Sequence, residues 1–138
     1  MNAKKLSILF AVVVVIAAQL ACAVGGEPSL SNMRSARDSD GNQPSTTFGA
    51  FDTVYVVGNL ANGAAGNQVV SRWYAVNVPG YDPNYFIDEA QVNVENDNFN
   101  GTIYFYFEPP SDGWPSGTYK AEIYFNGTLN STVNFSIQ

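Results

Sequence analysis

Histidine is absent from this 138-residue chain, cysteine occurs once, and only six lysines and arginines stand against twelve acids. The missing histidine removes the side chain that most readily moves protons near neutral pH, and with it the Ser-His and Cys-His nucleophilic arrangements. Together with the lone cysteine it also excludes most zinc sites and haem ligation. One cysteine cannot close an intramolecular disulfide, so an exported domain must be held by its core or by an intermolecular bridge. A net charge of −6 and a pI near 4.2 leave no footprint for nucleic acid, whose binding requires clustered Lys and Arg. What remains is 46% apolar and 14% aromatic, in a length that allows one domain or at most two.

The first 24 residues differ from everything after them. Lys4 and Lys5 precede an apolar run from Leu6 to Ala18 interrupted only by Ser7, which is the shape of a signal peptide over residues 1–23. The exit Gln19-Leu20-Ala21-Cys22 resembles a bacterial lipobox, in which the cysteine is acylated. Gln19 stands where a lipobox has leucine, and Leu20 where it has a small residue. Three fates stay open: acylation at Cys22, an ordinary cut after Ala23 that releases a secreted chain, or retention of Leu6–Val24 as an uncleaved membrane anchor. Residues 24–47 are rich in Gly, Ser, Pro, Asn and Asp and read as a flexible tether, with a random-coil reach of roughly 27 Å.

From Phe48 onward, apolar residues alternate with polar ones and turn residues separate short segments. Strands are expected near Phe51–Val57, Val69–Val78, Phe86–Glu95, Gly101–Phe107, Gly117–Phe125 and Thr128–Ile137, with no helix after the signal region. In the last of them Leu129, Val133, Phe135 and Ile137 are assigned to one buried face. Asn126-Gly127 is a hairpin signal, because both residues accept the positive φ of a type I′ turn. Pro109-Pro110 ends the fourth strand.

Residues 48–138 thus form an all-β domain of about 91 residues, an antiparallel sandwich of six to seven strands. Trp73 on the second of these strands and Tyr119 at the start of the fifth sharpen this to an immunoglobulin-like β-sandwich, with a core tryptophan and a tyrosine corner. Strand A of that fold is expected to be short or absent around Thr46 to Phe48. The stretch Gly113-Trp114-Pro115-Ser116-Gly117-Thr118-Tyr119-Lys120-Ala121-Glu122-Ile123-Tyr124-Phe125-Asn126-Gly127, with Val133-Asn134-Phe135-Ser136-Ile137 after it and Arg72-Trp73-Tyr74 before it, resembles the C-terminal part of Ig-like domains in small prokaryotic lipoproteins and secreted proteins. That resemblance implies a compartment and a fold, and no catalytic residue.

Two residues of positive charge, Arg72 and Lys120, face nine acids between positions 48 and 138, a net charge of −7. Asp82, Asp88 and Asp97, with Asn84 and Asn98, could supply oxygens to calcium, but they follow no recognised loop spacing, and acidic loops ordinarily keep exported proteins soluble. The domain is too small for the cleft of a paired-carboxylate glycosidase. Outward tyrosines are the stronger candidates for binding: Tyr104 and Tyr106 on one sheet, Tyr74 and Tyr124 expected side by side on the other. Trp114 is expected to pack over the end of the sandwich. Four Asn-x-Ser/Thr triplets, at Asn100, Asn126, Asn130 and Asn134, matter only if the source glycosylates exported chains.

These observations describe an exported, membrane-tethered Ig-like module at the cell surface or periplasmic face. It would be non-catalytic, take no cofactor, and bind an envelope protein or serve as a structural element. The alternative is a freely secreted domain that binds carbohydrate through its tyrosines. A protein-binding module should present an apolar patch or a sheet edge able to add a strand, and a sugar binder two or three coplanar aromatics in a shallow groove.

Overall fold

A computed structural model describes residues 26–138. The expected signal segment, with Cys22, lies outside the described residues. Eight strands form two sheets, and there is no helix among the described residues: β1 Ser29–Ala36, β2 Thr47–Phe48, β3 Val54–Gly63, β4 Gln68–Asn77, β5 Tyr85–Asn93, β6 Phe99–Phe107, β7 Gly117–Phe125 and β8 Thr128–Ile137. One sheet has the order β1-β3-β6 and the other β2-β8-β7-β4-β5. All pairings are antiparallel except β2 with β8, which is parallel. This is the immunoglobulin-like sandwich, in which β1 and β2 share the role of a first strand that changes sheet.

Period-two alternation produces the core. Val54, Val56 and Leu60 of β3 and Ile103 and Phe105 of β6 point inward from one sheet. They meet Val69, Trp73 and Ala75 of β4, Tyr119, Ala121 and Ile123 of β7, and Val133, Phe135 and Ile137 of β8. Trp73 is 1% exposed. Its ring lies 4.5 Å from Phe107 across the sandwich and 5.6 Å from Phe135 within its own sheet. Its indole N–H donates to Ser71 Oγ at 3.0 Å, so a polar group that would be costly unpaired in the core finds a partner there. Tyr119 forms the expected corner: its hydroxyl donates to the Pro115 carbonyl at 2.5 Å, and its ring stacks on Phe135 at 5.5 Å.

The hairpin at Asn126-Gly127 forms as expected, with φ of 48° and 84° at its two central residues. Asn126 also ties the hairpin tip to β4: its Oδ1 accepts from the Gln68 N–H, and its own N–H donates to the Gln68 carbonyl, both at 2.9 Å.

Three expectations are corrected. The domain begins at Ser29 rather than Phe48, because β1 pairs with β3 inside the stretch expected to be a tether. Strand β1 carries only Leu30, Met33 and Ala36 as apolar residues, and a bulge at Asn32, with φ 57°, breaks the alternation that would have announced it. Phe51 does not open a strand; it lies 71% exposed in the turn before β3. Leu129 does not join the core, because a bulge at Asn130 shifts the register so that Leu129 lies opposite the outward Tyr124.

Replacing Ser71 by Ala should cost about 1–3 kcal/mol of stability by orphaning the Trp73 N–H, and Tyr119→Phe about 1 kcal/mol. Chemical denaturation of each variant beside the parent checks both figures. A loss near zero for Ser71→Ala would mean that the indole finds another partner.

Candidate binding surface

The sequence-selected tyrosines occupy the outer faces of both sheets, with different surroundings. On the three-stranded sheet, cross-strand register places Tyr55 opposite Tyr106 and Val57 opposite Tyr104. The three rings form one cluster, with centroids 5.8 Å apart for Tyr55–Tyr106, 6.2 Å for Tyr55–Tyr104 and 6.4 Å for Tyr104–Tyr106. Tyr104 and Tyr106 are 45% and 51% exposed. Their planes are tilted by 31° to 53° relative to one another. Tyr55 was not singled out from the sequence. Its signal was its place between Val54 and Val56, the same alternation that exposes Tyr104.

On the five-stranded sheet, Tyr74 and Tyr124 share the outer face but are not side by side. Tyr74 pairs with Lys120 and Tyr124 with Val70, and the Arg72–Glu122 row runs between them. Both rings are half-buried in local contacts. The Lys120 ammonium lies 5.2 Å over Tyr74, whose ring also meets Phe86 at 5.7 Å. The Tyr124 hydroxyl donates to Glu122 Oε1 at 3.1 Å, and holding that proton against a carboxylate pushes the phenol above its ordinary range. Tyr74 and Tyr124 are therefore engaged in side-chain contacts of their own sheet face.

The calcium candidates do not converge. Asp82 precedes β5, Asp88 lies within it and Asp97 follows it, so the first and last are separated by the length of a nine-residue strand, roughly 30 Å. Asp97 Oδ1 is already taken by the Ala65 N–H at 2.9 Å. Among the described residues, no group of three potential ligands comes together.

At one end of the sandwich, Tyr81, Tyr85, Pro110 and Trp114 line a cleft of about 230 Å³. Trp114 is buried, as its turn position implied, and its indole N–H donates to the Asp52 carbonyl at 2.9 Å. Asp52 organises this end. Its Oδ2 accepts from the Gly49 N–H at 2.7 Å and pairs with Arg37 at 2.8 Å. The Gly49 N–H and then the Arg37 guanidinium hold its carboxyl below the usual carboxylate range.

Beside the tyrosine cluster the sandwich is open. Strands β5 and β6 end their respective sheets on the same side and do not pair with each other. Between them runs a groove of about 460 Å³, bordered by Ala90 and Val92 of β5 and by Ile103, Tyr104, Phe105 and Tyr106 of β6.

No family model matches the chain, and no curated protein matches it in sequence. Solved structures match it in fold. An immunoglobulin-like protein from Pseudomonas aeruginosa superposes over 83% of this chain and 99% of its own length, with a TM-score of 0.51 at 13% identity. A β-glucosidase from Erythrobacter marinus matches 81% of the chain with a TM-score of 0.51 at 13% identity, and an alkylpurine DNA glycosylase from Pseudomonas fluorescens matches 81% with 0.50 at 8%. The chain spans only 15% of the glucosidase and 30% of the glycosylase, so the likeness lies in one part of each enzyme. At these identities it is a likeness of fold alone.

Because the folded-state pKa of Asp52 is depressed, its contribution is complete above the ordinary carboxylate pKa of about 4 and disappears as pH falls through the lower folded value. Asp52→Asn should therefore lower stability at pH 7 by about 0.5–1 kcal/mol, the range for a partly exposed pair. The gap to the parent should close below about pH 4. Thermal melts of both chains from pH 7 to pH 2.5 read this directly, and a gap independent of pH would show that the charge plays no part.

Proposed function

We propose that the chain is a non-catalytic Ig-like binding module, exported and held at the cell surface by its N-terminal segment, that recognises a protein partner of the envelope. The observation that carries this reading is the Tyr55–Tyr104–Tyr106 cluster, with Tyr104 and Tyr106 exposed, lying directly beside an open sheet edge. Tyrosine supplies a large contact area at small conformational cost and is enriched where proteins meet.

The same cluster bears on the carbohydrate alternative. Stacking on sugar rings requires faces presented in one plane. These rings are inclined by at least 31° to one another, and their centroids form a near-equilateral triangle on the sheet face. That geometry favours interdigitation with side chains over a flat platform for a glycan. The membrane anchor is supported by the apolar run from Leu6 to Ala18 and by Cys22 after it.

Expression of the full chain in a bacterial host, followed by membrane fractionation and intact mass, tests the anchoring. The expected species begins at Cys22 and carries a diacylglyceryl increment, and Cys22→Ser should abolish that increment and move the protein out of the membrane fraction. An unmodified chain beginning at Val24 in the soluble fraction would contradict a lipid anchor and favour the secreted alternative.

A further inference from the structure

Each sheet of an open sandwich ends in strands whose outer N–H and C=O groups invite another strand, and folded proteins ordinarily blunt such edges. Of the four edges among the described residues, three are blunted. Strand β1 is bulged at Asn32, and the outer side of its C-terminal end is covered by the following loop: Ala36 bridges to Pro44, the Ser45 N–H donates to the Ser35 carbonyl, and the Arg37 N–H to the Gln43 carbonyl. Strand β2 is two residues long. Strand β5 carries a bulge at Ile87 and two successive charges, Asp88 and Glu89.

Strand β6 has none of these devices. Its nine residues, Phe99 to Phe107, contain no charge and no proline, and the bulge in its pairing with β3 lies on the β3 side, at Asn62. Among the described residues no strand or loop makes a backbone hydrogen bond to its outer edge. Such a stretch is an efficient template for strand addition.

Charge decides what can occupy it. Glu95 and Asp97 precede β6 and Glu108 follows it. A second copy paired antiparallel about Ile103 would set Glu108 opposite Asn98, one residue from Asp97. A parallel copy would set Glu108 beside Glu108. Either arrangement juxtaposes like charges, on a domain whose described residues hold twelve acids and four basic residues, a net charge of −8. A partner with basic ends meets the opposite sign at both ends of the edge.

We propose that the free edge of β6 is the binding site of this module, taking an extended protein segment of about seven to nine residues with a neutral, β-prone centre and Lys or Arg at its ends. The segment adds as a fourth strand to β1-β3-β6. Its alternate side chains enter the groove between Val92 and Ile103, and the others lie alongside Tyr104 and Tyr106. The inference rests on the reading of the chain as a protein-binding module and names the face and the partner chemistry.

The test uses the ¹⁵N-labelled full chain in detergent micelles and two synthetic peptides. Both have an alternating Thr-Val centre of seven residues; one carries two lysines at each end, the other two glutamates. The lysine-flanked peptide should shift the amides of Phe99–Phe107 and bind at least tenfold more tightly than its counterpart, with an affinity that weakens as salt is raised. Replacing Glu95 and Glu108, both exposed, by Lys should reverse the preference. Equal affinity for the two peptides, shifts centred on the Tyr81–Trp114 cleft, or β6 amides unmoved by either because the edge is already filled by a second copy or by residues 1–25 would each overturn the proposal. Failure here with Cys22-dependent membrane retention intact would leave a surface module that uses another face. Loss of that retention with peptide binding intact would remove the anchor and leave the binding site standing.

Discussion

Trp73 joins the two sheets of this domain, packing at 4.5 Å on Phe107 from one side and at 5.6 Å on Phe135 from the other. Sandwiches of this kind in antibodies brace the same region with an inter-sheet disulfide whose second cysteine lies two residues after the corner tyrosine. Here that place is taken by Ala121, fully buried, and the one cysteine of the chain is far away in sequence at position 22. The aromatic cluster of Trp73, Phe107, Phe135, Tyr119 and Phe48 does the bracing instead. Removing a residue such as Trp73 would be expected to cost about 3–5 kcal/mol, a large share of the stability of a domain this size. The tyrosine cluster and the open edge keep their places because that aromatic core holds the sheets together while the β3–β6 ladder sets the register of the tyrosines.

Asparagine supplies the irregularities that shape the surface. All five non-glycine residues with positive φ among the described residues are asparagines: Asn32, Asn62, Asn84, Asn98 and Asn126. Its short polar side chain tolerates the left-handed region where other residues are strained. Asn32 bulges and blunts β1, whereas Asn62 places the bulge of the β3–β6 pairing on β3 and leaves β6 straight. The Asn62 N–H donates to Asn100 Oδ1 at 3.0 Å, which fixes that end of β6. The distribution of bulges thus decides which edge remains available to a partner.

Much of this was legible in the sequence, and what was not has identifiable causes. Trp73 and Tyr119 announced the fold because they are large residues at the right places in an alternating pattern, and Asn126-Gly127 announced its hairpin through turn chemistry. Strand β1 was hidden because an edge strand buries little and its bulge replaces period two with apolar residues at 30, 33 and 36. Leu129 was misplaced for the same reason, since one extra residue at Asn130 reverses the face of everything before it. The binding face was half legible: alternation exposed Tyr104 and Tyr106, but the neighbourhood of Tyr55 and the separation of Tyr74 from Tyr124 depend on strand order and register, which a single sequence does not state.

Two features stand above the others: the aromatic core holds the two sheets together, and among the edges of the described residues β6 is the one neither covered nor blunted. Residue-resolved amide hydrogen exchange on the full chain tests both most directly. The predicted result is strong protection throughout β4 and β7, which have partners on both sides, and alternating protection along β6, where amides bonded to β3 are slow and those facing outward are fast. Uniform protection along Phe99–Phe107 would contradict the second by showing the edge covered, and rapid exchange in β4 and β7 would contradict the first by showing that the core does not hold.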